Sequence, residues 1–241
     1  MRLFCVVVPD KIRVMPERVY PDGLLPEPKA SAYDAILAEL QEAGLPTIDL
    51  ARAMQDWRAE RPEEALYHER DTHWNDAGAW RTSRAVVERL AARGWLDGIP
   101  RAPLESMPIQ ERRTRLDLSD LFGFLPNGLF AERLEDVRRH VNVRLAREGG
   151  VSIGLEAIQP DAQIALCGDS FSAWLAWGLT AASGRLVDFG GAIPGEGPIV
   201  GLLDTVGRIE RGEIAPRVLV WEMVERSHAR GHWDPPLEFP W

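Results

Sequence analysis

The chain is poor in cysteine, carries no excess of positive charge and has no apolar run long enough to cross a bilayer, and each absence removes a class of function. Its two cysteines, Cys5 and Cys167, lie far apart, each within an apolar run that reads as a buried strand. They are expected to serve as small core hydrophobes, with a disulfide between neighbouring strands as the alternative. A formal net charge of -9 offers no general attraction for nucleic acid or anionic lipid. The opening "MRLFCVVVPDK" has one basic residue and then a short apolar run cut off at Pro9, too short for a leader's apolar region or a membrane span. Internal repeats and low-complexity tracts are absent. "GGAIPGEG" lacks both the lysine of a phosphate loop and the spacing of a dinucleotide fingerprint, so no cofactor is expected.

What is present is the pattern of an α/β protein. With 241 residues, 45% of them hydrophobic and 27% charged, the chain has the means to bury one sizeable core, and it is read as a single domain over 1–241. Leu3 to Val8 is a continuous apolar run of the kind found in a strand covered on both faces. "SAYDAILAELQEAG" is expected to be a helix capped by Ser31 and stopped at Gly44, with "PTIDL" a short strand and "ARAMQDWRAE" a short helix after it. "ALYHERDTHW" reads as extended chain. Asn75 then caps a helix whose Trp80, Val87, Leu90 and Ala91 fall close to helical spacing. From about 100 to 150 the periodicity loosens into an insertion or excursion, open between helix and hairpin. "DAQIALCGDS", "RLVDFGG" and "RVLVWEMVE" are further strands, alternating with helices over "FSAWLAWGLTAASG" and "IVGLLDTVGRIERG". Such alternation predicts a mainly parallel sheet covered by helices.

Two stretches carry chemistry. In "IALCGDSFS" an apolar strand runs into Gly168, Asp169 and Ser170 just before a helix. A serine there stands at the carboxyl edge of the sheet, where open α/β folds bind ligands, and amide groups at the helix start are placed to stabilise an oxyanion. Gly168 would allow the tight turn. Read alone, the triplet also fits a plain helix cap. A nucleophilic serine needs a base, and of His68, His73, His140, His228 and His232 the best furnished is His73 in "HERDTHWND". If that segment is extended, Asp71, two residues earlier, lies on the same side and can accept the Nδ1 proton, leaving Nε2 for the serine.

Taken together these residues resemble the SGNH hydrolase-like O-acetyltransferases of alginate and related exopolysaccharide systems. The marks are Tyr67, Asp71, Thr72, His73, Trp74 and Gly78, then Gly168, Asp169, Ser170 and Phe171, with "VVVPDK", the "DLSDL" after Arg115 and "VWEMVER" in support. The resemblance implies an SGNH-like three-layer α/β/α domain whose triad runs in a permuted order, with Asp71 and His73 before Ser170. It also implies passage of an acetyl group through Ser170 to a polysaccharide hydroxyl, a membrane-bound acyl-donor protein as partner, and an extracytoplasmic, periplasmic setting. A carbohydrate or lipid acetylesterase and a non-catalytic polysaccharide-binding subunit of an export complex are the rival readings.

Other residues are weighed against plainer roles. Gly190 and Gly191, after the strand that follows the serine, are placed to add an oxyanion donor or to make a simple turn. Arg226, at the end of the last strand, suits a uronate carboxylate or a surface ion pair. Asp169 is expected to hold the turn and not to act as an acid. Trp174 and Trp177 fit core packing better than sugar stacking. His68 and Glu69 near His73 hint at a metal cluster, but alternation splits them between faces and no zinc spacing supports it. The tail "SHARGHWDPPLEFPW" reads as solvated.

Overall fold

The run Phe4 to Val8 is wholly buried, and its side chains alternate between two separate cores. Phe4, Val6 and Val8 belong to one and Cys5 and Val7 to the other, so this strand lies between two layers of helix. The structure, a computed structural model, describes residues 1–18, 20, 22–24, 29–69, 71–106, 110–115, 135–140, 143–145, 159, 161–190 and 197–229.

In chain order, β1 (Arg2–Val8) leads to α1 (Lys11–Val14), a 3-10 turn (Pro16–Arg18), α2 (Lys29–Glu42), α3 (Leu50–Glu60) and α4 (Asp76–Ala92). The segment read as an excursion contains four short strands, β2 (Leu104–Ser106), β3 (Gln110–Arg115), β4 (Glu135–His140) and β5 (Val143–Leu145). They form nested antiparallel pairs, β2 with β5 and β3 with β4, while "DLSDL" falls outside the described residues. The chain continues through β6 (Ile164–Cys167), α5 (Ser172–Ser183), β7 (Val187–Phe189), α6 (Pro198–Glu210), β8 (Val218–Val224) and α7 (Glu225–Ala229).

The main sheet has the order β1-β8-β6-β7, with every pairing parallel. Helices α4 and α5 pack on the face that carries Phe4, Val6, Leu166 and Val220. Helices α2 and α6 pack on the opposite face, with Cys5, Ala165, Leu219 and Trp221. The result is the expected three-layer α/β/α arrangement. From β6 the chain crosses one face through α5 to β7, then returns over the other face through α6 to β8, on the far side of β6. Helices α5 and α6 thus lie on opposite faces of the sheet, and the carboxyl end of β6 lies directly beside that of β8.

Several local expectations are corrected. "PTIDL" makes one bridge, Thr47 to Cys5, and not a strand: Pro46 has no amide to donate, and Asp49 already caps α3 by accepting from the Arg52 amide. Helix α2 starts at Lys29, so Ser31 lies inside it. On α4 the buried residues include Ala79, Ser83, Val86 and Leu90, whereas Trp80 is 38% exposed. Here close approach outranks side-chain size, because a Cβ at Gly178 of α5 would lie 2.0 Å from Ser83 Oγ, and only a small residue fits the crossing. Cys5 and Cys167 are free and buried, and both stand level with Trp221 of the intervening β8. Two strand spacings, about 9.5 Å, separate them, too far for a disulfide.

Candidate active site

The ends of β1, β6, β7 and β8 lie on one edge of the sheet; Ser170, Gly190 and Arg226 belong to that edge and Asp71 and His73 to the loop beside it, whereas His140 ends β4 in the antiparallel pair with β3. Ser170 follows β6 and precedes α5. The turn that carries it is fixed by its neighbour: the Asp169 carboxylate accepts from the Phe171 amide at 3.0 Å and from the Val224 amide, at the end of β8, at 2.9 Å. The Asp169 carbonyl accepts from both the amide and the hydroxyl of Ser172. Asp169 thus holds the turn through its carboxylate and its carbonyl, and the Ser170 hydroxyl points elsewhere.

That hydroxyl meets His73. His73 Nε2 lies 2.7 Å from Ser170 Oγ, across 97 positions of sequence. On the other side of the ring, Nδ1 lies 2.6 Å from Asp71 Oδ1, and the same carboxylate oxygen accepts the His73 amide at 2.9 Å. The local geometry differs from the extended chain expected. Residues 71–73 bend, and Asp71 closes an Asx-type turn on the residue two ahead, which brings carboxylate and imidazole together more firmly than strand alternation would. A bridge between Tyr67 and Trp74 and a bond from the His68 amide to the His73 carbonyl close the loop at its base.

Packing orients the ring. Phe171, wholly buried, lies 4.5 Å from the imidazole centroid at a 30° tilt, and Trp174 lies at 5.4 Å. Trp74, also wholly buried, meets Phe171 edge-on beneath the loop. Behind the histidine, Asn75 caps α4 by accepting the Gly78 amide, and its own amide group donates to the Ala65 carbonyl at 2.6 Å. A side chain at Gly78 would strike the Leu66 carbonyl at 2.2 Å, so this glycine lets the helix abut the loop it positions.

Arg226 lies at the same edge but is engaged: its guanidinium donates to Asp10 at 3.0 Å and to Thr72 at 3.0 Å and sits 5.0 Å over the Phe171 ring. Gly190 ends β7 with Arg208 and Thr205 where its side chain would be, and Gly191 and the tail after residue 229 lie outside the described residues. Gly168 does not have positive φ, so it is not there for turn geometry. A Cβ there would lie 2.5 Å from both the backbone oxygen and Oε2 of Glu222, and the residue is glycine because β8 passes so close.

Sequence reasoning missed Glu222 and Lys11. Glu222 is fully buried, and its Oε2 accepts the Asp169 amide at 3.2 Å. Burial, reinforced by the nearby Asp169 carboxylate, holds its pKa well above the ordinary carboxyl range. The one trace in the sequence is an acidic residue inside the apolar strand "VLVWEMV". Lys11 reaches into the loop from the end of β1 and donates to three of its backbone carbonyls, a contact with no sequence signal. Among the described residues no group of three His, Cys, Asp or Glu side chains is arranged to hold a metal, and no helix is long and apolar enough to cross a membrane.

The chain has relatives among known proteins. The chain is 28% identical over 245 aligned positions to the probable alginate O-acetylase AlgJ of Pseudomonas aeruginosa, covering 94% of this chain and 59% of that relative. It therefore spans about three fifths of the length of the curated relatives it matches. Among solved structures it resembles the O-acetyltransferase domain of Pseudomonas putida AlgJ, with a TM-score of 0.68 and 25% identity over 93% of this chain and 75% of that one. It shares its fold with Pseudomonas aeruginosa AlgX, with a TM-score of 0.67, 24% identity and coverage of 92% and 52%. The family described as "SGNH hydrolase-like domain, acetyltransferase AlgX" matches residues 1–225, and the chain belongs to that family.

Proposed function

We propose that this protein is an O-acetyltransferase that moves an acetyl group through Ser170 to a hydroxyl of a uronate-rich exopolysaccharide of the alginate class. The observation that carries the reading is the unbroken run from Asp71 through His73 to Ser170, with contacts of 2.6 and 2.7 Å, at the ligand-binding edge of a chain from this family.

In the first half-reaction, Ser170 Oγ attacks the acetyl carbonyl carbon while His73 Nε2 takes the hydroxyl proton. Asp71 keeps Nδ1 protonated and stabilises the imidazolium without accepting its proton. The tetrahedral oxyanion is held by the Ser170 amide, with Gly190 or Gly191 supplying a second donor. Collapse expels the donor's leaving group, which receives the proton from His73, and leaves acetyl-Ser170. The sugar hydroxyl then surrenders its proton to His73 and attacks the ester, and collapse returns the proton to Ser170. Arg226 serves Asp10 and Thr72 first, so a contact with a uronate carboxylate would use its remaining donors.

The names of the relatives support the acceptor class, an alginate-type polymer; an extracytoplasmic setting and a membrane-bound acyl-donor protein are proposed with it. No step calls for a cofactor. The test is initial-rate kinetics with a small activated acetyl ester, with and without uronate oligosaccharide. Acetyl-sugar formation that competes with hydrolysis and disappears in Ser170→Ala supports the transferase. Turnover that ignores the sugar identifies an esterase, and turnover independent of Ser170 refutes the triad.

A further inference from the structure

Of the 28 lysine and arginine residues, only Lys11 and Lys29 are lysine. In a chain that otherwise takes arginine for its cations, a retained lysine invites the question of what a guanidinium could not do there. Lys11 sits at the first position of α1, just past the end of β1, and its ammonium reaches across to the loop that carries the acid and the base. It donates to three backbone carbonyls, those of His68 at 2.6 Å, Glu69 at 2.7 Å and Asp71 at 3.3 Å.

Three carbonyl oxygens drawn to one point repel one another unless a compact donor stands between them. An ammonium, with donors in tetrahedral array on a small centre, satisfies that arrangement, whereas the flat fork of a guanidinium does not. The base of the clamp is itself fixed: the Asp10 amide donates to Glu225 Oε2 at 2.9 Å, Arg13 pairs with the same carboxylate, and Asp10 accepts from Arg226. The loop is otherwise tied to its frame by the Tyr67 hydroxyl on the Pro9 carbonyl at 2.5 Å and by Arg226 on Thr72. Asp71 is the link: its carbonyl is gripped by Lys11, and its carboxylate grips His73 at two atoms.

We infer that Lys11 is a positioning residue that docks the Asp71–His73 loop against the fixed end of β1 and so sets the reach of His73 to Ser170. The inference rests on the triad reading above and goes beyond it. Without the ammonium the Asx turn would survive as a local unit but would shift as a body relative to Ser170. The reacting groups would then be misplaced while the acetyl-donor site stayed intact, which should lower kcat and spare KM.

The test uses Lys11→Cys before and after alkylation with 2-bromoethylamine, which rebuilds an ammonium of nearly lysine length. Cys5 and Cys167 are buried, and burial raises both thiols, Cys5 to about 12, so the reagent is directed to the introduced thiol. Titration of Ser170 with a sulfonyl fluoride counts competent sites, so that kcat is expressed per site and simple loss of folded protein does not count. The expected result is a fall in kcat per site on the order of 10- to 100-fold, the scale of a small misplacement of reacting groups, with KM nearly unchanged and most of the loss recovered on alkylation. Wild-type kcat per site before alkylation, or no recovery once mass confirms the modification, overturns the inference. Should Lys11→Cys not fold, Lys11→Arg decides: a lowered kcat per site is expected, and a wild-type value overturns it. Ser170→Ala, run in parallel, separates the two claims, since turnover in that variant removes the triad reading whatever Lys11 does.

Discussion

The carboxyl of Glu222 lies directly behind the turn that carries Ser170, with Oε2 3.2 Å from the Asp169 amide nitrogen and no exposure to solvent. Burial and the Asp169 carboxylate keep it protonated above the ordinary glutamate range, whereas the unfolded chain ionises normally, near 4.5. Above that pH the unfolded state gives up a proton that the folded state retains, so rising pH favours unfolding, with a slope of at most about 1.4 kcal/mol per pH unit until the folded value is reached. Glu222→Gln keeps an acceptor for the amide and removes the titration. Urea midpoints taken from about pH 5 to pH 8 should fall with pH more steeply in the wild type than in Glu222→Gln. Parallel curves would show that Glu222 does not titrate between the two states.

Gly168→Ala places a methyl group 2.5 Å from the backbone oxygen of Glu222, a contact that no rotamer change relieves. The predicted cost is about 1–3 kcal/mol of stability, with loss of activity, since the strand end that carries Ser170 must move. Wild-type thermal stability and turnover would show that β6 and β8 have slack at this point.

Asp188 and Arg208 form a buried two-bond pair, at 2.8 and 3.1 Å, beside Gly190. Removing the carboxylate leaves a buried guanidinium without its counter-charge, so Asp188→Ala should destabilise the protein by about 3–5 kcal/mol in chemical denaturation. A change under about 1 kcal/mol would mean that Glu213, 3.8 Å from Arg208 Nε, takes over the role.

Asp71→Asn preserves the shape of the turn but no longer holds the imidazole in the tautomer that leaves Nε2 free to accept. The fall in kcat should exceed about 100-fold, toward the roughly 10⁴-fold loss seen when the same control is removed from a serine protease, with little change in melting temperature. Near-normal turnover in this variant would take Asp71 out of the mechanism.

How much of this could be read from the chain depends on where each interaction keeps its information. The contacts that join Asp71, His73 and Ser170 were legible because these residues carry their chemistry in side chains and sit in short motifs with strong local meaning. The alternation of strands and helices was legible because β1, β6 and β8 are apolar without interruption, as strands covered on both faces must be. The turn at Asp71 was misjudged as extended chain because an Asx turn and a short strand draw on the same residue types, and only the contact with the His73 amide distinguishes them. The α4 stripe was misplaced at Trp80 because a close helix crossing selects for small residues, which a search for large apolar ones passes over. The grip of Lys11 on the loop left no trace because the three acceptors are backbone carbonyls, which every residue has.

The most direct measurement is intact-protein mass after brief exposure to an activated acetyl ester, for the wild type and Ser170→Ala, followed by addition of uronate oligosaccharide. A single acetyl adduct is expected in the wild type and none in Ser170→Ala, with transfer of that adduct to the sugar faster than to water. An adduct that forms equally in Ser170→Ala, or none in a folded wild type that nonetheless acetylates the sugar, would contradict transfer through Ser170.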